Sequence, residues 1–144
     1  MPSVEKTIRI DVPPAVVFDA ITDVRRSPEW ISAIIDVKNI SPDIPRVGST
    51  FVEVTSFMAK KFETGKIVTV YEPPHRFVHT NTSGPILQST TMTCEPEGKG
   101  TLLRIHFEAE PGGFFGKLPI NVLVVALEVI IMGNLEKLKK KLEG

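Results

Sequence analysis

The sequence predicts an α+β domain in which a seven-stranded antiparallel sheet is curled around one long C-terminal helix, with two short helices after the first strand. Three observations predict this fold class. Apolar and polar side chains alternate in residues 4–11 and through much of residues 34–110, a period typical of half-buried strands. Prolines and glycines between these segments predict short turns, which join antiparallel neighbours. Residues 114–144 have no breaker after Pro119 and are long enough to cover one face of the sheet.

The first corner of the predicted fold consists of one strand and two short helices. Residues 4–11 form a strand with a charged outer face. The pair Pro13-Pro14 ends this strand and pre-sets the first turn of a helix. The sequence Ser27-Pro28-Glu29-Trp30 then begins the second helix.

Six further strands follow this corner, and short turns separate most of them. The turn Glu72-Pro73-Pro74-His75 is certain to interrupt pairing, because two consecutive prolines cannot donate to a strand ladder. Pro96-Glu97-Gly98-Lys99-Gly100 predicts a hairpin turn before the last strand. The predicted strands cover residues 34–40, 50–58, 62–71, 76–82, 86–95 and 101–110. This order predicts an antiparallel meander that the last helix covers.

The long helix is apolar on two faces in its first half. At about 100° per residue, one narrow stripe is expected to face the sheet. Asn121 and Glu128 lie on the shoulder of this stripe, where leucine is the usual residue. The stripe consists of Ile120, Val124, Ile131, Leu135, Leu138 and Leu142. The opposite face carries Leu118, Val122, Val125, Ala126 and Val129.

Composition favours one globular domain that spans residues 1–144. Apolar residues make up 42% of the chain and charged residues 24%, as in ordinary folded domains. Seventeen basic and 17 acidic side chains cancel, so no net charge favours nucleic acid. Cys94 is the only cysteine, which excludes an intramolecular disulfide. No signal peptide is recognised. The apolar run 118–132 is shorter than the ~20 residues of a transmembrane segment. We therefore expect a cytoplasmic protein.

Several short motifs occur in an order that resembles a known superfamily. They are Ile8-Arg9-Ile10-Asp11-Val12-Pro13-Pro14, Ser27-Pro28-Glu29-Trp30, Tyr71-Glu72-Pro73-Pro74, Glu95-Pro96-Glu97-Gly98 and Glu108-Ala109-Glu110-Pro111-Gly112-Gly113. The ordered set resembles the START-like, or SRPBCC, superfamily over essentially the whole chain, and within it the polyketide cyclase/dehydrase and lipid-transport family. The resemblance implies a helix-grip fold with a deep cavity for a hydrophobic small molecule. It implies no reaction, because the family shares no universal catalytic set.

Polar side chains on strand faces that are expected to be buried are candidates for the wall of this cavity. Met92 and Cys94 identify the inner face of their strand, which places Gln88 and Thr90 on the same face. These two polar residues have three open roles: hydrogen bonds inside a core, exposure at a cavity mouth, or contact with a ligand. Phe107 either lines the cavity or fills the core. The predicted ligand-binding residues are His79, Gln88, Thr90, Met92, Phe107, Asn121, Val124 and Glu128.

His79 and Glu128 are the candidates for proton transfer. His79 shares its strand face with Phe77 and Asn81, and a lone histidine in such a place is more often a structural hydrogen bonder than a catalyst. Glu128 at the edge of an apolar cavity is suited to accept a ligand hydrogen bond or to act as a general base. The alternative for Glu128 is an ion pair with a basic residue of the sheet. The three histidines lack metal-ligand spacing, so no metal is predicted.

Three classes of function stay open on the sequence alone. The favoured one is a carrier or sensor that binds a lipid-like or polyketide-like hydrophobic molecule. The second is a cyclase- or dehydratase-type enzyme that uses His79 or Glu128, which requires two titratable groups to converge on one space. The third is homodimerisation or partner docking through the apolar back of the helix, at Leu118, Val122, Val125 and Val129. No nucleophile elbow, P-loop or dinucleotide fingerprint occurs, so no cofactor is predicted.

Overall fold

The computed structural model describes residues 3–57, 59–84, 86–111, 117 and 119–144. Its strands are β1 (Ser3–Ile10), β2 (Ile34–Lys38), β3 (Thr50–Phe57), β4 (Lys60–Glu72), β5 (Arg76–Asn81), β6 (Ile86–Glu97) and β7 (Gly100–Pro111). The helices are α1 (Pro14–Thr22), α2 (Ser27–Trp30) and α3 (Ile120–Glu143), and a 3₁₀ helix, Val24–Arg26, connects α1 to α2. The predicted fold class is confirmed.

All seven strands form one antiparallel sheet in the order β1-β7-β6-β5-β4-β3-β2. Consecutive strands from β2 to β7 are neighbours. Strand β1 lies at the edge of the sheet and pairs with β7. The long β6–β7 hairpin turns at Gly98, whose φ of 61° lies in the left-handed region that favours glycine. The first strand and the last therefore lie side by side, where α3 packs against β1.

The second half of α3 holds the helix on the sheet. Ile131, Leu135 and Leu138 are buried in the main hydrophobic core. At the end of the helix, Lys139 Nζ donates to the carbonyl oxygen of Arg9 over 2.7 Å. Glu143 accepts a hydrogen bond from the backbone N–H of Asp11, also over 2.7 Å. These contacts anchor the end of α3 to the end of β1.

The predicted inner stripe of α3 agrees with the structure except at its first residue, Ile120. Ile120, placed on the inner stripe by periodicity, is 54% exposed, whereas Leu123 is buried. The rest of that stripe is buried or packs against the core: Val124, Ile131, Leu135, Leu138 and Leu142. The predicted start is also early: the helix begins at Ile120, and residues 114–116 and 118 lie outside the described part of the chain.

The outer face of α3 carries exposed aliphatic side chains. Val122, Val125 and Val129 are 54%, 61% and 69% exposed, and Leu118 lies outside the described residues. Homodimerisation through this face stays a prediction. Among the helices described, none is both long enough and apolar enough to cross a membrane.

Candidate ligand cavity

A cavity of about 210 Å³ lies between the inner face of the sheet and the first half of α3. This volume is many times the space that one buried water needs. On one side its wall is apolar: Leu123, Leu127 and Ile130 come from α3, and Ile105 and Phe107 come from β7. The space under the helix can therefore receive an apolar group.

The strands in the middle of the sheet add polar side chains to a cavity floor that also contains apolar ones such as Met92. Each of β3, β4, β5 and β6 contributes polar side chains to the lining, and Asn134 joins them from α3. Asn134 accepts hydrogen bonds from the backbone N–H and the hydroxyl of Ser32, both over 3.1 Å. The strand residues of the floor are Glu53, Thr55, Thr64, Lys66, His79, Asn81, Gln88 and Thr90. An apolar pocket with a few placed polar groups is typical of small-molecule sites.

A buried ion pair crosses from β3 to β4 on this floor. Lys66 is opposite Phe51 in the strand register, and Glu53 is opposite Thr64, so the two charged side chains are diagonal neighbours on one face. Lys66 Nζ lies 3.4 Å from Glu53 Oε1, and the side chains are only 2% and 11% exposed. Burial lowers the pKa of Lys66, and the Glu53 carboxylate opposes this shift. The pair places one charge of each sign beside the cavity.

His79 lies next to this pair on β5. Its partners in the register are Val68 of β4 and Thr90 of β6. The imidazole is edge-on to the rings of Phe51 and Phe77, with centroid distances of 5.8 and 5.7 Å. Burial, and then the nearby positive charge of Lys66, hold the pKa of His79 well below its ordinary value of 6.5. His79 is therefore neutral at physiological pH.

Three residues of the cavity wall contain buried polar atoms with no hydrogen-bond partner among the described residues. These atoms are Trp30 Nε1, His79 Nδ1 and Asn81 Oδ1. Buried polar atoms in folded proteins are normally paired. By contrast, Gln88 is paired, because its Nε2 donates to Thr90 Oγ1 over 3.0 Å. Unused hydrogen-bonding capacity is thus concentrated around the cavity.

The structure brings five of the eight predicted ligand-binding residues to the cavity. His79, Gln88, Thr90, Met92 and Phe107 all line it. Contact of these five side chains with a ligand stays a prediction.

The other three predicted residues do not line the cavity. Asn121 is exposed on the outer side of α3. Val124 packs against the hydrophobic core. Glu128 pairs with Lys6 of β1, with Glu128 Oε2 2.8 Å from Lys6 Nζ. This ion pair with the sheet is the alternative that the sequence left open for Glu128. Because His79 lines the cavity and Glu128 does not, the two side chains do not converge on one space.

Sequence reasoning missed the charged residues of the floor. Glu53 shares its strand face with Phe51, and Lys66 shares its face with Val68, and both of those apolar residues are buried. That spacing could have placed the two charges inside. Trp30 of α2 also lines the cavity.

Neither a metal site nor a reactive thiol adds to the chemistry of the described residues. No group of three or more histidine, cysteine, aspartate or glutamate side chains there is suited to hold a metal ion. Cys94 is buried, and its burial raises the pKa of the thiol to about 12. A thiol with such a pKa is not a nucleophile at neutral pH. The titratable groups available to a ligand are therefore Glu53, Lys66 and His79.

The depressed pKa of His79 predicts a loss of stability on mild acidification. The unfolded chain binds a proton at this histidine near pH 6.5, but the folded chain resists it. The contribution of His79 to the free energy of unfolding should therefore not change with pH above about 6.5. It should decrease as the pH is lowered from there toward the pKa of the folded state. Urea denaturation from about pH 7.5 to about pH 5 should show a smaller decrease for His79→Gln than for the wild type. Parallel curves for the two proteins would contradict this assignment.

Several solved structures share the fold of this chain. A protein of Thermus thermophilus has a TM-score of 0.82 at 18% identity, with 98% of this chain and 97% of that chain covered. The ZhuI aromatase/cyclase of a Streptomyces species has a TM-score of 0.75 at 15% identity, with 99% and 93% covered. A START superfamily protein of Mycobacterium smegmatis has a TM-score of 0.73 at 17% identity, with 99% and 94% covered. These similarities concern the fold.

At the level of sequence, no curated protein matches this chain. The profile of the family described as polyketide cyclase/dehydrase and lipid transport matches residues 1–143. The match covers both the sheet and the helix that enclose the cavity. The chain therefore belongs to the polyketide cyclase/dehydrase and lipid-transport family.

Proposed function

We propose that the chain binds a hydrophobic small molecule, lipid-like or polyketide-like, in the cavity between the sheet and α3. The observation that carries this proposal is the cavity itself, which has an apolar wall under Leu123 and Leu127 and a polar floor. A space of about 210 Å³ left unfilled in a core would sacrifice many van der Waals contacts. Occupation by an apolar ligand recovers those contacts and removes the ligand from water. The cytoplasmic location expected from the sequence stays a prediction.

Filling the cavity with a side chain should abolish the binding of a hydrophobic probe. Ala109 is buried and lines the cavity from β7, so Ala109→Phe places a ring where the ligand would lie. We expect the affinity for the neutral dye N-phenyl-1-naphthylamine, measured by fluorescence titration, to fall at least about tenfold.

The matched control is Val129→Phe, which introduces the same ring on the exposed face of α3. This variant should bind the dye as the wild type does. Circular dichroism of both variants checks that the fold persists. Equal dye affinities for Ala109→Phe and the wild type would refute the proposed cavity site.

A second candidate function is a cyclase- or dehydratase-type reaction on a polyketide-like substrate. It is favoured by one observation: Glu53, Lys66 and His79 all line the same cavity, so titratable groups converge there although Glu128 does not take part. Neutral His79 is suited to accept a proton, and Lys66 is suited to donate one. Turnover of a poly-β-ketone by the wild type, lost in His79→Gln while dye binding persists, would distinguish the enzyme from the carrier.

A further inference from the structure

The charges on the cavity floor are balanced. Glu53 and Lys66 are the only charged side chains among the described residues that line the cavity. His79 beside them is neutral, because burial and the Lys66 charge disfavour its protonation. A ligand thus meets one positive and one negative group.

These two groups also offer both kinds of hydrogen bond. The Lys66 ammonium has three N–H donors, and the Glu53 carboxylate accepts at two oxygens. Their closest approach of 3.4 Å is longer than the about 2.7–2.9 Å of a close charge-assisted hydrogen bond. Among the described residues, Glu53 is the only ion-pair partner of Lys66. The ammonium therefore has more donors, and the carboxylate more acceptor positions, than this one contact uses.

Apolar side chains of α3 and β7 line the same cavity as this pair. Leu123, Leu127 and Ile130 project from α3 over the floor, and Phe107 extends the apolar surface along β7. Because the ion pair and these apolar side chains line one cavity, a bound molecule should present a polar edge to the pair and an apolar body to the apolar side chains.

We propose that the cavity selects a neutral, largely apolar ligand whose polar end both donates and accepts hydrogen bonds, as the hydroxyl of an aromatic alcohol does, with that end against Glu53 and Lys66. This inference rests on the proposed function and adds the chemistry of the ligand's polar end. The hydroxyl oxygen accepts from the Lys66 ammonium, and its proton is donated to the Glu53 carboxylate. The apolar body lies against the wall formed by α3.

Ionic ligands fit this site less well, because the charges are already balanced. A carboxylate would add a second negative charge beside Glu53, and an amine would add a second positive charge beside Lys66. An uncompensated charge in a buried site is strongly unfavourable. A plain hydrocarbon avoids this penalty, but it leaves the available donors and acceptors unused.

Three molecules with one ring skeleton test the proposal: naphthalene, β-naphthol and β-naphthoate. At about pH 7.5 the naphthol is neutral and the naphthoate is ionised. Isothermal titration calorimetry of the wild type should show that β-naphthol binds at least about tenfold more tightly than either of the others. In the double variant Glu53→Leu/Lys66→Met, the naphthol and naphthalene affinities should agree within about threefold, because the polar anchor is gone.

Each alternative ranking has a definite meaning. If naphthalene binds the wild type as tightly as β-naphthol, the inference is overturned and the proposed function stands. Tightest binding of β-naphthoate would likewise overturn it, because Lys66 would then act as a simple cation. Absence of binding by all three molecules would overturn the inference and the proposed function together. The wild-type ranking alone decides these outcomes even if the double variant fails to fold.

Discussion

Replacing Lys66 with methionine should lower the free energy of unfolding by about 3 kcal/mol or more, because it leaves Glu53 as an unpaired buried charge. The lost partner is buried almost completely, and no second cation pairs with Glu53 among the described residues. Urea denaturation near neutral pH measures the effect.

The double variant Glu53→Leu/Lys66→Met is the informative companion. It removes both charges and puts apolar side chains in their place, a change that is often neutral or stabilising when the packing is good. We expect it to be more stable than Lys66→Met alone. If both proteins lose the same free energy, the pair does not contribute as a unit and the account of the cavity floor is wrong. A stable double variant with impaired ligand preference would indicate that the pair is kept for recognition.

The second large effect concerns the two halves of α3. Leu135 is fully buried in the core, so Leu135→Ala should cost about 3 kcal/mol through lost burial and a new cavity. Leu127 is only partly buried and already borders an open cavity. Leu127→Ala should therefore cost about 1 kcal/mol, since fewer contacts disappear.

Denaturation curves of these two variants, with Val129→Ala as a control, show whether the two halves of α3 are packed equally tightly. The valine is 69% exposed, and its substitution should change the free energy of unfolding by no more than about 0.5 kcal/mol. Equal losses for Leu127→Ala and Leu135→Ala would mean that the first half of the helix is packed as tightly as the second. In that case, the cavity would be closed in solution.

The meander from β2 to β7 could be predicted from the sequence because its turns are chemically distinctive, whereas the pairing of β1 with β7 joins distant segments that no local pattern connects. Pro73-Pro74 and the residues around Gly98 predict turns, and the strands observed on either side of these turns agree with the prediction to within two residues, although Pro96 and Glu97, assigned to the turn, still belong to β6. The apolar pattern of Met92 and Cys94 correctly placed Thr90 on the inner face, since β6 has only one strongly apolar face.

The two charged residues of the cavity floor, Glu53 and Lys66, could not be predicted in the same way. Val52 and Val54 alternate with Glu53 on β3, and both valines are half-buried on the outer face, so the apolar residues alone favoured the opposite orientation. The position of Glu128 was open for a related reason. Valines on several sides of the first half of α3 leave its rotation to tertiary packing, which no local pattern encodes.

The location of a bound molecule tests the central claim most directly. Amide chemical shifts of the labelled protein should be recorded during titration with N-phenyl-1-naphthylamine. We expect saturable shifts at residues that line the cavity, among them His79, Thr90 and Leu127, and little change at Val125 and Val129 on the exposed face of α3. Saturable shifts confined to that exposed face, with the cavity residues unaffected, would contradict a ligand site between the sheet and the helix.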